Sequence, residues 1–275
     1  MKKMTIIIIL SVIAIPIIIL IIGKINLSIQ FKKEVTELFS LSKNISNKTF
    51  NYGQISGLPE PVQHYFKHVL KEGQPYISYV RLTHDGQFKP DLKKDWVDIE
   101  GEQYFTTEKP GFIWKGKSSL FTVRDMYMSD KGRIIVSLFS FFKVVNGEGA
   151  KYDQGELLRW LGESILFPTN LLPNEYLKWT SIDSVSAGLT FNYNDLSLFY
   201  KVSFNNKGEI TQLETKRYMG EDSLETWIGK LSDYKEINGI IIPTKIEGIW
   251  SLRSGDFSYA KFNIKNIEYG KPEKY

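Results

Sequence analysis

Residues 196–204 read Leu196-Ser197-Leu198-Phe199-Tyr200-Lys201-Val202-Ser203-Phe204. Leu198, Tyr200, Val202 and Phe204 fall on one side of an extended chain, with Ser197, Lys201 and Ser203 on the other. That alternation belongs to a strand with one face buried and one face wet, and Phe199 is its one exception. Downstream, Asn238-Gly239 divides two further runs of this kind, 226–237 and 240–252. Both central positions of a type I′ turn need positive φ, which asparagine and glycine tolerate, so this dipeptide predicts a two-residue hairpin and fixes its register.

Working outward, the same period recurs on both sides. Runs rich in aromatic and β-branched residues at 76–83, 87–89, 96–107, 111–117, 121–128 and 133–145 are punctuated at Asp85-Gly86, Lys109-Pro110, 117–119 and Asp130-Lys131-Gly132. The pattern resumes at Leu177 and continues through 188–193, 196–205, 209–218, 226–237, 240–252 and 257–269. Two helical segments stand apart. Val62, Tyr65, Phe66, Val69 and Leu70 have helical spacing, with Pro61 suited to a first turn and Gly73 and Pro75 as terminators, which predicts a helix at about 60–72. Leu157, Leu158, Leu161 and Ile165 form a second stripe, with Asp153 as the expected cap and Pro168 as the stop, which predicts a helix at 153–167. Strands without βαβ alternation predict an α+β, mostly β chain: a large curved antiparallel sheet, an incomplete barrel, whose concave face the helices cover.

The N-terminus is of another kind. Residues 4–22 are apolar except for Thr5, Ser11 and Pro16, and Lys2, Lys3 and Lys24 flank them. Nineteen helical residues reach ~28 Å, close to the hydrocarbon thickness of a bilayer. The run is longer than a cleaved signal core, no small-x-small cleavage site follows, and no cysteine is available for lipid attachment. The sequence therefore predicts a single-pass anchor at 1–25, an amphipathic juxtamembrane helix and loose stalk at 26–57, and one domain at 58–275. The flanking lysines do not decide orientation; a three-residue head before a signal-like anchor favours an extracytoplasmic domain at the cell membrane.

Charge narrows the partners. Five of the 35 basic residues lie within 1–33, where there is no acid, so 30 remain against 31 acidic side chains. A nearly neutral body lacks the basic footprint of a nucleic-acid binder. His64 and His68 have the i, i+4 spacing of a chelating pair, but they lie among lysines off the apolar stripe, so a solvated helix face accounts for them and no metal site is expected. Nucleophilic catalysis has no support, with no cysteine and no Gly-x-Ser-x-Gly. Asp98 and Glu100 share one strand face, as the wet face of a sheet would. Glu163 stands four residues after Arg159, so an ion pair explains it, while a polar group facing the cavity is the reading that would matter.

Aromatic residues make up 14% of the chain, enough to line a hollow as well as fill a core. Trp160, Glu163, Phe167, Trp179, Trp227 and Trp250 are the candidate cavity residues. No cofactor is called for.

Several blocks, read together, point to a family. Leu58-Pro59-Glu60-Pro61-Val62-Gln63-His64-Tyr65-Phe66, Gly86-Gln87-Phe88, Glu156-Leu157-Leu158-Arg159-Trp160-Leu161-Gly162-Glu163 and Phe167-Pro168-Thr169-Asn170-Leu171-Leu172-Pro173 resemble signature blocks of a bacterial family known only as a domain of unknown function. Trp179, Ile182-Asp183, Ala187, Asn206-Lys207-Gly208-Glu209-Ile210, Arg217 and Gly239-Ile240-Ile241-Ile242-Pro243 through Glu247 and Trp250 extend the resemblance over roughly 57–270. Thr226-Trp227 and His64 depart from it, where Pro-Trp and arginine are usual. The resemblance implies a shared fold and no reaction. More distantly, the order of elements is similar to the lipoprotein-carrier fold, an incomplete barrel with a helical lid that holds acyl chains, and that likeness implies an apolar ligand. The expectation is a membrane-anchored binding module for a lipid or other apolar molecule. A protein-interaction module of the cell envelope, or a hydrolase in which Glu163, Asp183 or the Asp98 and Glu100 pair converge, are the alternatives.

Overall fold

The computed structural model describes residues 2–220 and 223–275, with the backbone alone for 2–13 and 16. Thirteen strands form one open antiparallel sheet: β1 (Tyr79–Phe88), β2 (Val97–Thr106), β3 (Gly111–Lys117), β4 (Phe121–Met128), β5 (Lys131–Leu138), β6 (Phe142–Glu148), β7 (Leu177–Ser181), β8 (Ser186–Tyr193), β9 (Leu196–Phe204), β10 (Ile210–Met219), β11 (Ser223–Ile237), β12 (Ile240–Leu252) and β13 (Gly255–Tyr269). Their order is β6-β5-β4-β3-β2-β1-β13-β12-β11-β10-β9-β8-β7. Each strand neighbours its successor in sequence except at the junction of β6 with β7 and at the centre, where β1 pairs with β13. The mostly β class with a few helices is thus the observed one.

Among the described residues three α-helices attach to this sheet, α1 (Lys2–Ser40), α2 (Glu60–Val69) and α3 (Ala150–Glu163), with short 3-10 turns at Tyr52–Ile55, Ser164–Leu166 and Pro168–Leu171. The period of 2 sends neighbouring side chains to opposite layers. Phe105, Phe112, Trp114 and Tyr127 point inward to the large core that α2 and α3 cover. Tyr104, Ile113, Met126 and Ile135 point outward to a second, smaller core, where Phe31, Val35, Leu38 and Phe39 of α1 lie on them at helical spacing. The strand β4 ties both layers with adjacent residues of opposite charge. Arg124 reaches outward to the carboxylate of Glu34 on α1, and Asp125 reaches inward to Arg159 on α3.

Several boundaries differ from the sequence expectation. The juxtamembrane helix is the end of one continuous 39-residue helix, about 58 Å long at 1.5 Å per residue. The stretch after it is not a loose stalk: Phe50 and Ile55 are buried, and the Asn44 side chain donates to Glu108 at 2.7 Å. Asp153 is no cap. Helix α3 starts after Gly149, and the Asp153 carboxylate accepts from the Gly132 amide at 2.7 Å, fastening the helix to β5. The chain does not turn at Asp85-Gly86 either. A bulge between Thr83 and His84 lets β1 continue, and Gly86, at φ 152°, lies where an added Cβ would come within 1.9 Å of the Lys261 carbonyl oxygen.

The apolar run at 4–22 falls largely on side chains outside the described ones. Among the described residues, no helix is long and apolar enough to cross a membrane.

At the predicted hairpin, Asn238 and Gly239 have φ of 53° and 80°, and Ile237 pairs with Ile240. Gly239→Ala is expected to cost about 1–2 kcal/mol, the penalty of a Cβ in the left-handed region, as a shift in the urea midpoint with an unchanged slope.

Candidate functional site

The inner face of the sheet does not close completely on α3. Between them lies a cavity of about 440 Å³, in the range of small-molecule sites. Its wall is aromatic and aliphatic, with Trp114, Trp227, Trp250, Tyr259 and Phe262 among its members. Gly229 of β11 pairs with Gly248 of β12, and Gly248 with Ala260 of β13; the missing side chains let the rings of two wall residues lie flat on the sheet, Trp227 over Gly229, where an added Cβ would come within 2.8 Å of the ring, and Tyr259 over Gly248, at 3.0 Å. Pro90 and Tyr218 are lining residues exposed to solvent, which places the mouth between the turn after β1 and the end of β10.

One side of this apolar hollow carries a charged cluster. The Arg159 guanidinium lies 4.7 Å from the Trp114 ring, donates from Nη1 to Asp125 Oδ2 at 2.5 Å and from Nε to Glu163 Oε1 at 3.0 Å. Glu163 Oε2 accepts from Gln103 Nε2 at 2.6 Å. Arg217 of β10 packs on Gly155 and approaches Glu156 Oε1 at 3.4 Å. Two guanidiniums thus face three carboxyls. Asp125 Oδ1 and Glu156 Oε2 are buried acceptors with no donor. The Glu156 carboxyl holds its proton at neutral pH, its pKa pushed up to about 8, first by burial and then by the charge of Asp125. Burial also raises Asp125, against the pull of Arg159 and Arg217. With that proton the cluster is formally neutral.

His84 adjoins the cluster without joining it. Its Nε2 accepts from Trp114 Nε1 at 2.8 Å, its ring lies 4.2 Å from that of Phe262, and burial lowers its pKa to about 4. Between pH 4.5 and 8 the folded state holds more protons at Glu156 than the unfolded chain does. Stability from this group is therefore complete below 4.5 and lost as pH rises through 8. The His84 contribution has the opposite sign, complete above 6.5 and lost as pH falls through 4. Glu156→Gln is expected to abolish the alkaline slope and leave the acid one, read from urea midpoints across that range.

Of the residues singled out in the sequence, Glu163, Trp227 and Trp250 line this cavity. Trp227 and Trp250 are cross-strand partners, and the Trp227 indole donates to the Tyr259 hydroxyl at 3.0 Å. The other three lie in the core. Trp160 donates to the Thr106 carbonyl at 2.9 Å, Trp179 to the Leu171 carbonyl at 2.9 Å, and Phe167 packs 4.9 Å from the Phe105 ring. The remaining acids do not converge on Glu163: Asp183 holds its own exposed turn through the Val185 amide, and Asp98 is exposed beside Gln87. His68 faces Glu209 at 3.9 Å, away from the enclosed His84. Among the described residues no group of three or more acids or histidines is arranged to hold a metal ion. Asp125, Glu156, Arg217 and Trp114 also line the cavity and are not among the residues that the sequence singles out for it, although Glu156 and Arg217 fall in the quoted family blocks. A signal was available for two of them, since Asp125 alternates with Val123 and Tyr127 on a strand's inner face, and Glu156 precedes Glu163 by two helical turns on one helix face.

Two solved structures align with most of the chain. A LolA superfamily protein from Nitrosomonas europaea aligns over 77% of this chain and 92% of its own, with 13% identity and a TM-score of 0.36. A domain designated an outer membrane lipoprotein-sorting protein, from Vibrio parahaemolyticus, aligns over 80% and 93%, with 9% identity and a TM-score of 0.41. No curated protein matches the sequence. Residues 48–262, most of the sheet together with α2 and α3, match a family described as a family of unknown function (DUF6544), and the chain belongs to that family.

Proposed function

We propose that the domain is a binding module that holds a lipid or other apolar ligand between the concave sheet and α3, tethered to the cell membrane by residues 4–22 with the sheet on the extracytoplasmic side. The observation that carries the reading is the cavity itself, about 440 Å³ between sheet and α3, walled by aromatic side chains of which Trp227 and Tyr259 lie flat over Gly229 and Gly248. Outside the charged cluster the wall is mostly aromatic and aliphatic, so binding energy comes from apolar contact, at roughly 25 cal/mol per Å² removed from water. The charged cluster supplies a fixed polar end against which an amphiphile orients. The tether is supported by the continuous helix that carries the apolar run into the packed half of α1.

Native mass spectrometry of the full chain, released from detergent micelles, tests this reading. One lipid-sized adduct per chain is expected. Ala260→Leu fills the floor of the cavity and is expected to reduce that adduct about tenfold, equivalent to 1.4 kcal/mol, while the urea midpoint holds or rises. An empty wild-type chain, or equal loading of both proteins, would overturn it.

A further inference from the structure

Successive antiparallel strands place the turns after β1, β3, β5, β10 and β12 on one rim of the sheet, the rim on which the cavity opens. Exposed large apolar side chains concentrate there. Leu120 is 57% exposed, Phe139 49%, Phe141 51% and Phe142 60%, and Val144 continues the patch along the edge strand β6. An edge strand facing water is ordinarily blunted by charge; here Lys143 is the one charged residue in 138–145. The turn is also strained. Phe139 and Ser140 hold φ of 52° and 61°, where glycine or asparagine would relieve a cost of about 1–2 kcal/mol per residue.

The position of α1 says what covers this patch. The helix crosses the outer face from this rim to the opposite one, where Leu38 packs on Gly111. At the near rim Gly23 lies against the hairpin, so close that an added Cβ would meet the Ser140 carbonyl oxygen at 3.2 Å and Phe141 Cβ at 3.5 Å. Gly23 is the residue at which the apolar run ends and Lys24 follows, so the hairpin tip is level with the membrane boundary of the helix. Lys24 and Lys143 add the charge that anionic headgroups attract.

We infer that Leu120 and the β5–β6 hairpin enter the lipid bilayer beside α1, so that the cavity opens onto the membrane surface. This rests on the tether proposed above. The lip is continuous with the cavity: the Phe139 amide donates to the Leu120 carbonyl at 2.9 Å, and the Phe121 ring lies 6.3 Å from that of Phe88 in the cavity wall. A ligand leaving the bilayer along this lip crosses little water.

The chain has no cysteine, so one introduced residue gives one label site. Full-length Phe141→Cys and Phe199→Cys, the latter as an exposed control on β9, are labelled with an environment-sensitive dye. Both are reconstituted into phosphatidylethanolamine and phosphatidylglycerol vesicles with brominated acyl chains. The expected result is flotation of both proteins with the vesicles and about twofold lower emission at 141 than in unbrominated vesicles, with no change at 199. Flotation with no quenching at 141 overturns the docking and leaves the tether standing. A dye at 141 that is shielded from water yet unquenched means a protein covers the patch, which also overturns it. Loss of flotation overturns the tether and the docking together.

Discussion

Arg159→Met is expected to lower the free energy of unfolding by about 3–5 kcal/mol, the range for removing one partner of a buried charge group. The guanidinium lies between Asp125 and Glu163 and stacks over Trp114. Methionine fills the stem's volume but leaves three carboxyls facing Arg217 alone. The loss should be smaller in acid, where protonation removes the uncompensated charge, so urea midpoints of Arg159→Met and wild type are expected to converge as pH falls toward 4.5. A difference independent of pH would mean that Arg159 acts through packing alone. The double variant Arg159→Met with Glu163→Gln should recover part of the loss, since it withdraws one of the stranded charges.

The second large effect lies on the opposite layer. Arg124 is 1% exposed, and its Nη1 is held by both oxygens of Glu34, while Nη2 has no partner. Glu34→Ala leaves a buried guanidinium with nothing to offset its desolvation, at a cost of about 3 kcal/mol or more. Because the pair joins α1 to β4, the loss should appear first as undocking of the helix. Limited proteolysis within 26–57 is expected to accelerate at urea concentrations that leave the tryptophan emission of the main core unchanged. Arg124→Met with Glu34→Leu, which removes both charges, should restore much of the stability.

The elements legible in the sequence were those set by local rules. The Asn238-Gly239 hairpin, the helix after Pro61, and the alternation through 196–204 follow from backbone sterics and side-chain period, and each appears in the fold. Features that depend on distant partners were hidden. No local signal distinguishes a strand that pairs with a neighbour from one that pairs far along the chain, so the sequence predicts a turn at Asp85-Gly86, where β13 in fact supports β1 through a bulge. Phe50 and Ile55 sit in a polar stretch and read as linker until the Thr49 and Pro75 bridge is seen. The charged cluster has the same cause. The alternation of Asp125 with Val123 and Tyr127 shows only that it faces inward; which charges it meets there is settled when β4, β10 and α3 bring Arg159, Glu156 and Arg217 to it. Among the tryptophans, composition could not separate filler from wall, because both environments select the same large rings.

The pairing of β1 with β13 sets a schedule for assembly. The two meanders, β1–β6 and β7–β13, are each built from sequence neighbours, so either can form as it is synthesised. Within the sheet they are hydrogen-bonded to each other through the first and last strands, and α3 packs across both. From the end of β1 to the start of β13 the ribosome must add the chain from 89 to 254, on the order of ten seconds or more at 5–20 residues per second. Throughout that interval the edge of β1 waits unpaired and α3 has only part of its covering surface. A nascent chain in this state offers an open strand edge to any neighbour, and a frameshift or stop codon as late as β13 leaves two half-sheets with no seam between them.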